Sequence, residues 1–132
     1  MEDFKIFYQE NIAIIKVDLV TATLRDARPL WNKFEIMNLF EQSKIIVDLS
    51  TCSYIDSTFI GMLVKIFKRI SESQGQMMIV FPPLLSPIQT FRFMGLTKIV
   101  NCFDNLDEAI ETLRIKLPIR KHCSFNEAVL KD

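Results

Sequence analysis

At 132 residues, 49% hydrophobic and 24% charged, the chain has the profile of a single folded domain and is too short for two ordinary ones. Sixteen basic and sixteen acidic side chains leave a formal net charge of zero, so the basic excess that usually accompanies nucleic-acid binding is missing. The acidic start Met1-Glu2-Asp3 lacks the apolar core of a signal peptide and no run is long enough to span a bilayer, so a cytoplasmic protein with no membrane insertion is expected.

Phe4 to Tyr8 and Ile12 to Val17 read as two strands of a hairpin turning at Gln9-Glu10-Asn11. From about Ala27 to Gln42, Leu30, Phe34, Met37 and Phe40 recur at helical intervals. Ile45 to Leu49 is a short, β-branched, apolar run, the pattern of a buried strand, and a helix follows from Ser57 to about Ser73. Gly75 and Gly95 each stand where a helix gives way to an apolar run, and are expected to take the left-handed conformation that ends a helix. Met77 to Phe81 predicts a strand stopped by Pro82-Pro83. Ser86-Pro87-Ile88-Gln89 combines a serine cap, a proline at the first helical position and a glutamine at the third, opening a helix to about Met94. Ile99 to Phe103 is a further strand, and Asn105 caps a helix with Asp107 and Glu108 in its first turn.

The order ββαβαβαβα predicts an α/β (α+β) fold, a mixed central sheet of about five strands with about four helices packed on it. The domain is expected over residues 1–116, followed by a tail over 117–132. In that tail Ser124-Phe125-Asn126-Glu127 has the pattern of a capping box and could begin one short helix. Three widely spaced cysteines, Cys52, Cys102 and Cys123, suit reduced thiols better than a disulfide frame or a metal cluster.

Residues 58–72 placed at about 100° per residue give an apolar arc of about 200°, centred on Leu63. Phe59, Met62 and Ile66 form one edge of the arc. A helix on one sheet face needs an apolar stripe only somewhat wider than 100°. The surplus edge is therefore either buried under a neighbouring helix or left as a partner-binding patch containing Phe59 and Met62. Ser57 and Thr58 sit in the first turn of this helix, at a strand-loop-helix junction. Unpaired backbone N–H groups and the positive dipole end favour an anion there. A capping hydroxyl and a phosphate acceptor are both compatible with that position, and Asp56 before it could simply accept loop N–H groups.

The stretch IIVDLSTCSYIDSTFIGMLVKIFKRI, from Ile45 to Ile70, resembles the signature of the STAS domain, typified by bacterial anti-sigma-factor antagonists. The resemblance extends from about Phe4 to Ile115 and includes Met94-Gly95-Leu96 and Glu108-Ala109. It implies a non-catalytic binding protein, a monomer or weak homodimer. Its partner would be an anti-sigma factor that is also a serine kinase with a histidine-kinase-like ATPase fold. The family's phosphorylated serine, directly after an aspartate, matches Ser57 after Asp56, with Thr58 the second hydroxyl and Asp56 supporting the phosphosite. Asp18, Thr58, Phe59 and Met62 would then face the partner. Two departures are visible. Phe59 stands where antagonists usually have glycine, and the family's Gly-acid-Leu-Asp after the second strand stands here as Val17-Asp18-Leu19-Val20.

Other chemistries find little support. A receiver domain needs an acidic pair after its first strand to hold Mg²⁺, and here that strand ends at Gln9-Glu10. No Gly-x-Ser-x-Gly elbow or glycine-rich phosphate loop is present, and the single histidine, His122, sits in the tail beside Lys121. No cofactor or metal is expected. Asp48, at the end of its strand, reads as structural. The alternative is the same fold acting as a constitutive interaction module in a transporter, lipid-trafficking or sensory complex, a reading that Phe59 favours over glycine.

Overall fold

A computed structural model describes residues 2–83 and 85–114. The segment from Leu117, with His122, Cys123 and the capping pattern at Ser124, lies outside the described residues. In chain order the elements are β1 (Phe4–Gln9), β2 (Ile12–Val17), β3 (Thr21–Ala22), α1 (Leu24–Ile36) and a 3-10 turn (Leu39–Glu41). Then come β4 (Lys44–Asp48), β5 (Tyr54–Ile55), α2 (Ser57–Glu72), β6 (Gln76–Val80), α3 (Pro87–Thr97), β7 (Asn101–Phe103) and α4 (Leu106–Arg114). β1 and β2 are antiparallel, from Phe4 opposite Val17 to Gln9 opposite Ile12. The remaining ladders of the main sheet are parallel, giving the order β1-β2-β4-β6-β7. This is the mixed five-stranded sheet with four helices that the sequence predicts, an α+β fold.

Period-two alternation splits the core into two layers. Ile45 and Val47 of β4, with Met77 and Ile79 of β6, face α1, α2 and α3 through Leu30, Phe34, Leu63, Ile66, Ile70 and Phe93. Ile46, Met78 and Val80 point the other way, onto Ala109, Ile110 and Leu113 of α4. Because the central strands are covered on both faces, they read as continuous apolar runs rather than alternating ones. Each fully buried Leu, Ile or Phe contributes about 1.5–3 kcal/mol relative to its exposed state. Among the described residues, no helix is long and apolar enough to cross a membrane.

Three expectations change. The first helix runs from Leu24 to Ile36 rather than from Ala27 to Gln42. Asn38 takes φ 54 just past its end, and the following 3-10 turn keeps Leu39 and Phe40 in the core. After α2 the left-handed residue is Gln74, at φ 64, not Gly75. The N–H groups of Gln74 and Gly75 donate to the carbonyls of Ser71 and Ile70, at 2.9 Å each, which is the Schellman pattern. Gly75 is required for space: a Cβ there would lie 2.8 Å from Ile70 Cγ2 and 3.2 Å from the Gln42 carbonyl. Gly95 ends nothing, since α3 continues to Thr97.

Candidate functional site

Apart from the main sheet, β3 and β5 form a parallel two-stranded ladder, Thr21 opposite Tyr54 and Ala22 opposite Ile55. The Val20 carbonyl accepts from the N–H groups of Ser53 (2.8 Å) and Tyr54 (3.2 Å), and the Ala22 carbonyl from that of Asp56 (3.0 Å). Each strand runs one residue further into a helix cap, Thr23 for α1 and Asp56 for α2. Parallel strands leave the ladder in the same direction, so the two helices begin side by side.

Asp56 joins them. Its Oδ1 accepts from the Phe59 N–H at 2.9 Å, the α2 cap, and its Oδ2 accepts from the Leu24 N–H at 2.9 Å, the first residue of α1. One carboxylate thus satisfies a first-turn amide on each helix and lies at both positive dipole ends. At α1, Asp26 Oδ2 accepts from the Thr23 N–H at 2.9 Å. With a backbone amide on each oxygen, Asp56 is a cap for α2 and a tie to α1.

Ser57 and Thr58 are exposed in the first turn of α2, and among the described residues neither hydroxyl makes a hydrogen bond. Asp18 lies in the loop before β3, ion-paired with Lys5 at 3.0 Å and partly exposed. Met62 is half-buried against the core.

Phe59 requires a correction. It is 0% exposed, among the largest fully buried side chains, and offers no surface to a partner. The wide apolar arc of α2 is explained by α1. Lys65 lies over the Trp31 ring (5.7 Å) and Arg69 over that of Phe40 (4.7 Å), so the edge carrying Phe59, Met62 and Ile66 faces α1 and the 3-10 turn.

The structure also brings α3 to the site, a contact that no local pattern in the sequence marks. Gln89 Oε1 accepts from the Ile55 N–H (3.2 Å), and Arg92 Nη1 donates to the Ile55 carbonyl (3.5 Å) while its guanidinium lies 5.2 Å from the centre of the Tyr54 ring. Val20, Leu24 and Tyr54 are exposed around the ladder, and Ile88 and Phe91 (76% exposed) on α3. Nothing in the residue type of Leu24 or Phe91 separates a solvent-facing apolar residue on a helix from a core one.

Beneath the site Asp48 is buried, and its Oδ1 accepts from the Ser50 N–H at 2.9 Å, the structural role read from sequence. Cys52 is buried, with Sγ 3.8 Å from the Val17 carbonyl; burial first, and then the nearby Asp48 carboxylate, push its thiol up to about 12. Among the described residues no group of three or more His, Cys, Asp or Glu could hold a metal ion. What the arrangement offers is an exposed hydroxyl at a joined pair of helix starts, with Val20, Leu24 and Tyr54 exposed around the ladder.

Comparison with known proteins agrees with this fold. Among solved structures, a candidate anti-sigma factor antagonist from Thermotoga maritima is 27% identical, with a TM-score of 0.71 over 85% of this chain and 95% of that one. An anti-sigma factor antagonist from Mycobacterium paratuberculosis superposes with a TM-score of 0.69 at 15% identity, covering 85% of this chain and 93% of its own. The Bacillus cell fate determinant SpoIIAA in its phosphorylated form gives 0.60 at 18% identity over 84% and 99%. The latter two likenesses establish the fold alone. A comparison with curated proteins finds no match. The STAS domain family matches residues 12–109, which hold every strand of the main sheet but β1 together with the ladder and both helix starts, and the chain belongs to that family.

Proposed function

We propose that this protein is a non-catalytic regulatory binding protein of the anti-sigma factor antagonist type. It binds an anti-sigma factor that is also a serine kinase with a histidine-kinase-like ATPase fold, and phosphorylation at Ser57 switches that binding off. The observation that carries the reading is the exposed, unengaged Ser57 hydroxyl in the first turn of α2, beside a ladder whose apolar side chains Val20, Leu24 and Tyr54 face solvent. Asp18 and Thr58 complete the partner-facing surface in this reading, and Met62 reaches its edge. The γ-phosphoryl group of ATP passes to Ser57 Oγ, ADP leaves, and the hydroxyl proton goes to a base of the kinase.

The physical logic is a difference between two environments. A phosphate adds about −2 charge next to Asp56. In the free domain the first-turn amides and the helix dipole offset that charge, and water screens the rest, so the fold survives. In a close-packed interface the same charge is desolvated beside a carboxylate and costs several kcal/mol. About 4 kcal/mol is a thousandfold in affinity, enough to dissociate a complex.

Wild type, Ser57→Ala and Ser57→Asp are compared for binding to the cognate partner, with a phosphate mass sought on the peptide carrying Ser57 after incubation with partner and ATP. The expected pattern is binding by the first two, loss with Ser57→Asp, and phosphate on Ser57 rather than Thr58. Equal binding by all three removes the switch. With Phe59 in the core, the constitutive-module alternative lacks the support of a surface aromatic at that position. The protein acts in the cytoplasm as a monomer or weak homodimer in this reading.

A further inference from the structure

α3 holds the strand that leads into the site by one residue. Gln89 takes the Ile55 N–H and Arg92 the Ile55 carbonyl, so both peptide groups flanking that residue are clamped from the same helix. The two bonds are unequal in quality. The Arg92 bond is long, 3.5 Å, and joins a full positive charge to a neutral carbonyl. Gln89 makes its bond while its Nε2 is buried without a partner, which leaves a costly uncompensated donor in the clamp. This contact is easily exchanged for a better one.

Resting on the phosphorylation reading above, we propose that Arg92 is the residue that senses the phosphate on Ser57, giving up the Ile55 carbonyl to bind it and so uncoupling α3 from the start of α2. Ile55 and Ser57 are two residues apart, and consecutive Cα atoms are separated by about 3.8 Å. Residue 57 is therefore at most about 7.6 Å, two Cα steps, from the residue whose carbonyl Arg92 holds. Tyr54 is exposed, and the guanidinium of half-buried Arg92 lies over its ring. Several other cations have separate engagements: Lys5 with Asp18, Lys33 with Glu2, Lys65 and Arg69 over aromatic rings, and Arg114 with Glu10, while Arg25 and Arg28 stand exposed in the opening turns of α1. Among the described residues Arg92 is the cation that touches the strand entering α2. A phosphate dianion accepts a shorter, charge-assisted and bidentate bond that a carbonyl cannot match. The same helix carries exposed Ile88 and Phe91, so the exchange gives residue 57 a route to a second part of the surface.

The test uses the full chain with phosphoserine encoded at position 57, which needs no kinase. The phosphate is titrated by ³¹P NMR in otherwise wild-type protein, in Arg92→Gln and in Arg92→Lys. The midpoint for the second ionisation is expected to be lower in wild type than in Arg92→Gln by about half a pH unit or more, with Arg92→Lys between them. The Arg92 Nε–H resonance should shift at the wild-type midpoint. Asp56 opposes the ionisation equally in all three and cancels from the comparison. Equal midpoints in folded proteins, with the Arg92 resonance unmoved, overturn the assignment and leave the phosphorylation reading standing. Failure of the cognate partner to phosphorylate unmodified Ser57 removes that reading, and the sensor role with it.

Discussion

Replacing Asp56 by alanine tests the double helix start directly. The substitution deletes the acceptor for the Phe59 N–H and the acceptor for the Leu24 N–H, both at 2.9 Å. Loss of an Asp cap costs about 1 kcal/mol. The Leu24 bond is solvent-exposed, so water replaces much of it, and its loss adds about 0.5 kcal/mol. Removing a negative charge from two dipole ends adds about 0.5 kcal/mol more. The total is about 2 kcal/mol, or a fall of about 6–10 °C in melting temperature for a domain of this size. Asp56→Asn keeps one acceptor and loses the charge, so about half that effect is expected. Urea or thermal unfolding read by the single tryptophan, Trp31, half-buried on α1, measures both variants. Amide exchange at Leu24 and Phe59 should speed together. Stability unchanged within about 0.3 kcal/mol, or faster exchange at Phe59 alone, would refute the tie between the helices. In the regulatory reading Asp56→Asn also slows phosphorylation of Ser57 by shifting the first turn of α2, although the carboxylate itself is occupied.

Three further outcomes follow from local geometry. Phe59→Ala should destabilise by about 3–4 kcal/mol in denaturant titration, as a core truncation does, whereas a surface aromatic would cost well under 1. Gly75→Ala and Gly95→Ala should have opposite signs. The first forces a Cβ against Ile70 and a backbone carbonyl and should cost about 1–2 kcal/mol, while the second meets nothing within 4 Å inside α3 and should gain about 0.5–1. Cys52 makes stability fall in alkali. Its folded thiol keeps its proton to about 12 while the unfolded thiol loses it near 9.0, so above that lower value the unfolded state binds fewer protons and is favoured as pH rises. The loss approaches about 1.4 kcal/mol per pH unit from this group, and Cys52→Ala should flatten the dependence measured between pH 9 and 10.5.

What could be read from the sequence had a period or a cap. The buried strands, the Asp56-led helix and the Ser86-Pro87 helix start all carry signals confined to a few neighbouring residues, and the strands and both helix starts appear close to where they were expected. β3 and β5 leave no trace in the sequence because two residues have no alternation to detect, and their pairing is created by a partner about thirty positions away. The early start of α1 was hidden by exposed Leu24 and by the charged run Arg25-Asp26-Arg28 before the apolar spacing begins. A usable signal did exist in Thr23 and Asp26, spaced as a cap and its reciprocal acceptor. Phe59 was placed on the edge of the apolar arc, where helical angle alone cannot decide between core and surface; the neighbouring α1 decides it. At the site, the hydroxyls and Asp56 were legible as local features. The Leu24 amide and Arg92 were not, since each reaches the site from a different part of the chain.

The tie between Asp56 and Leu24 spans 32 positions of the chain. The platform carrying Ser57 is therefore assembled from pieces that a short synthetic copy of residues 50–62 would lack. In the phosphorylation reading, an enzyme that modifies Ser57 meets a shape and not a string of letters. In that reading newly made or partly melted copies escape modification, so the linkage doubles as a check that only finished molecules are phosphorylated.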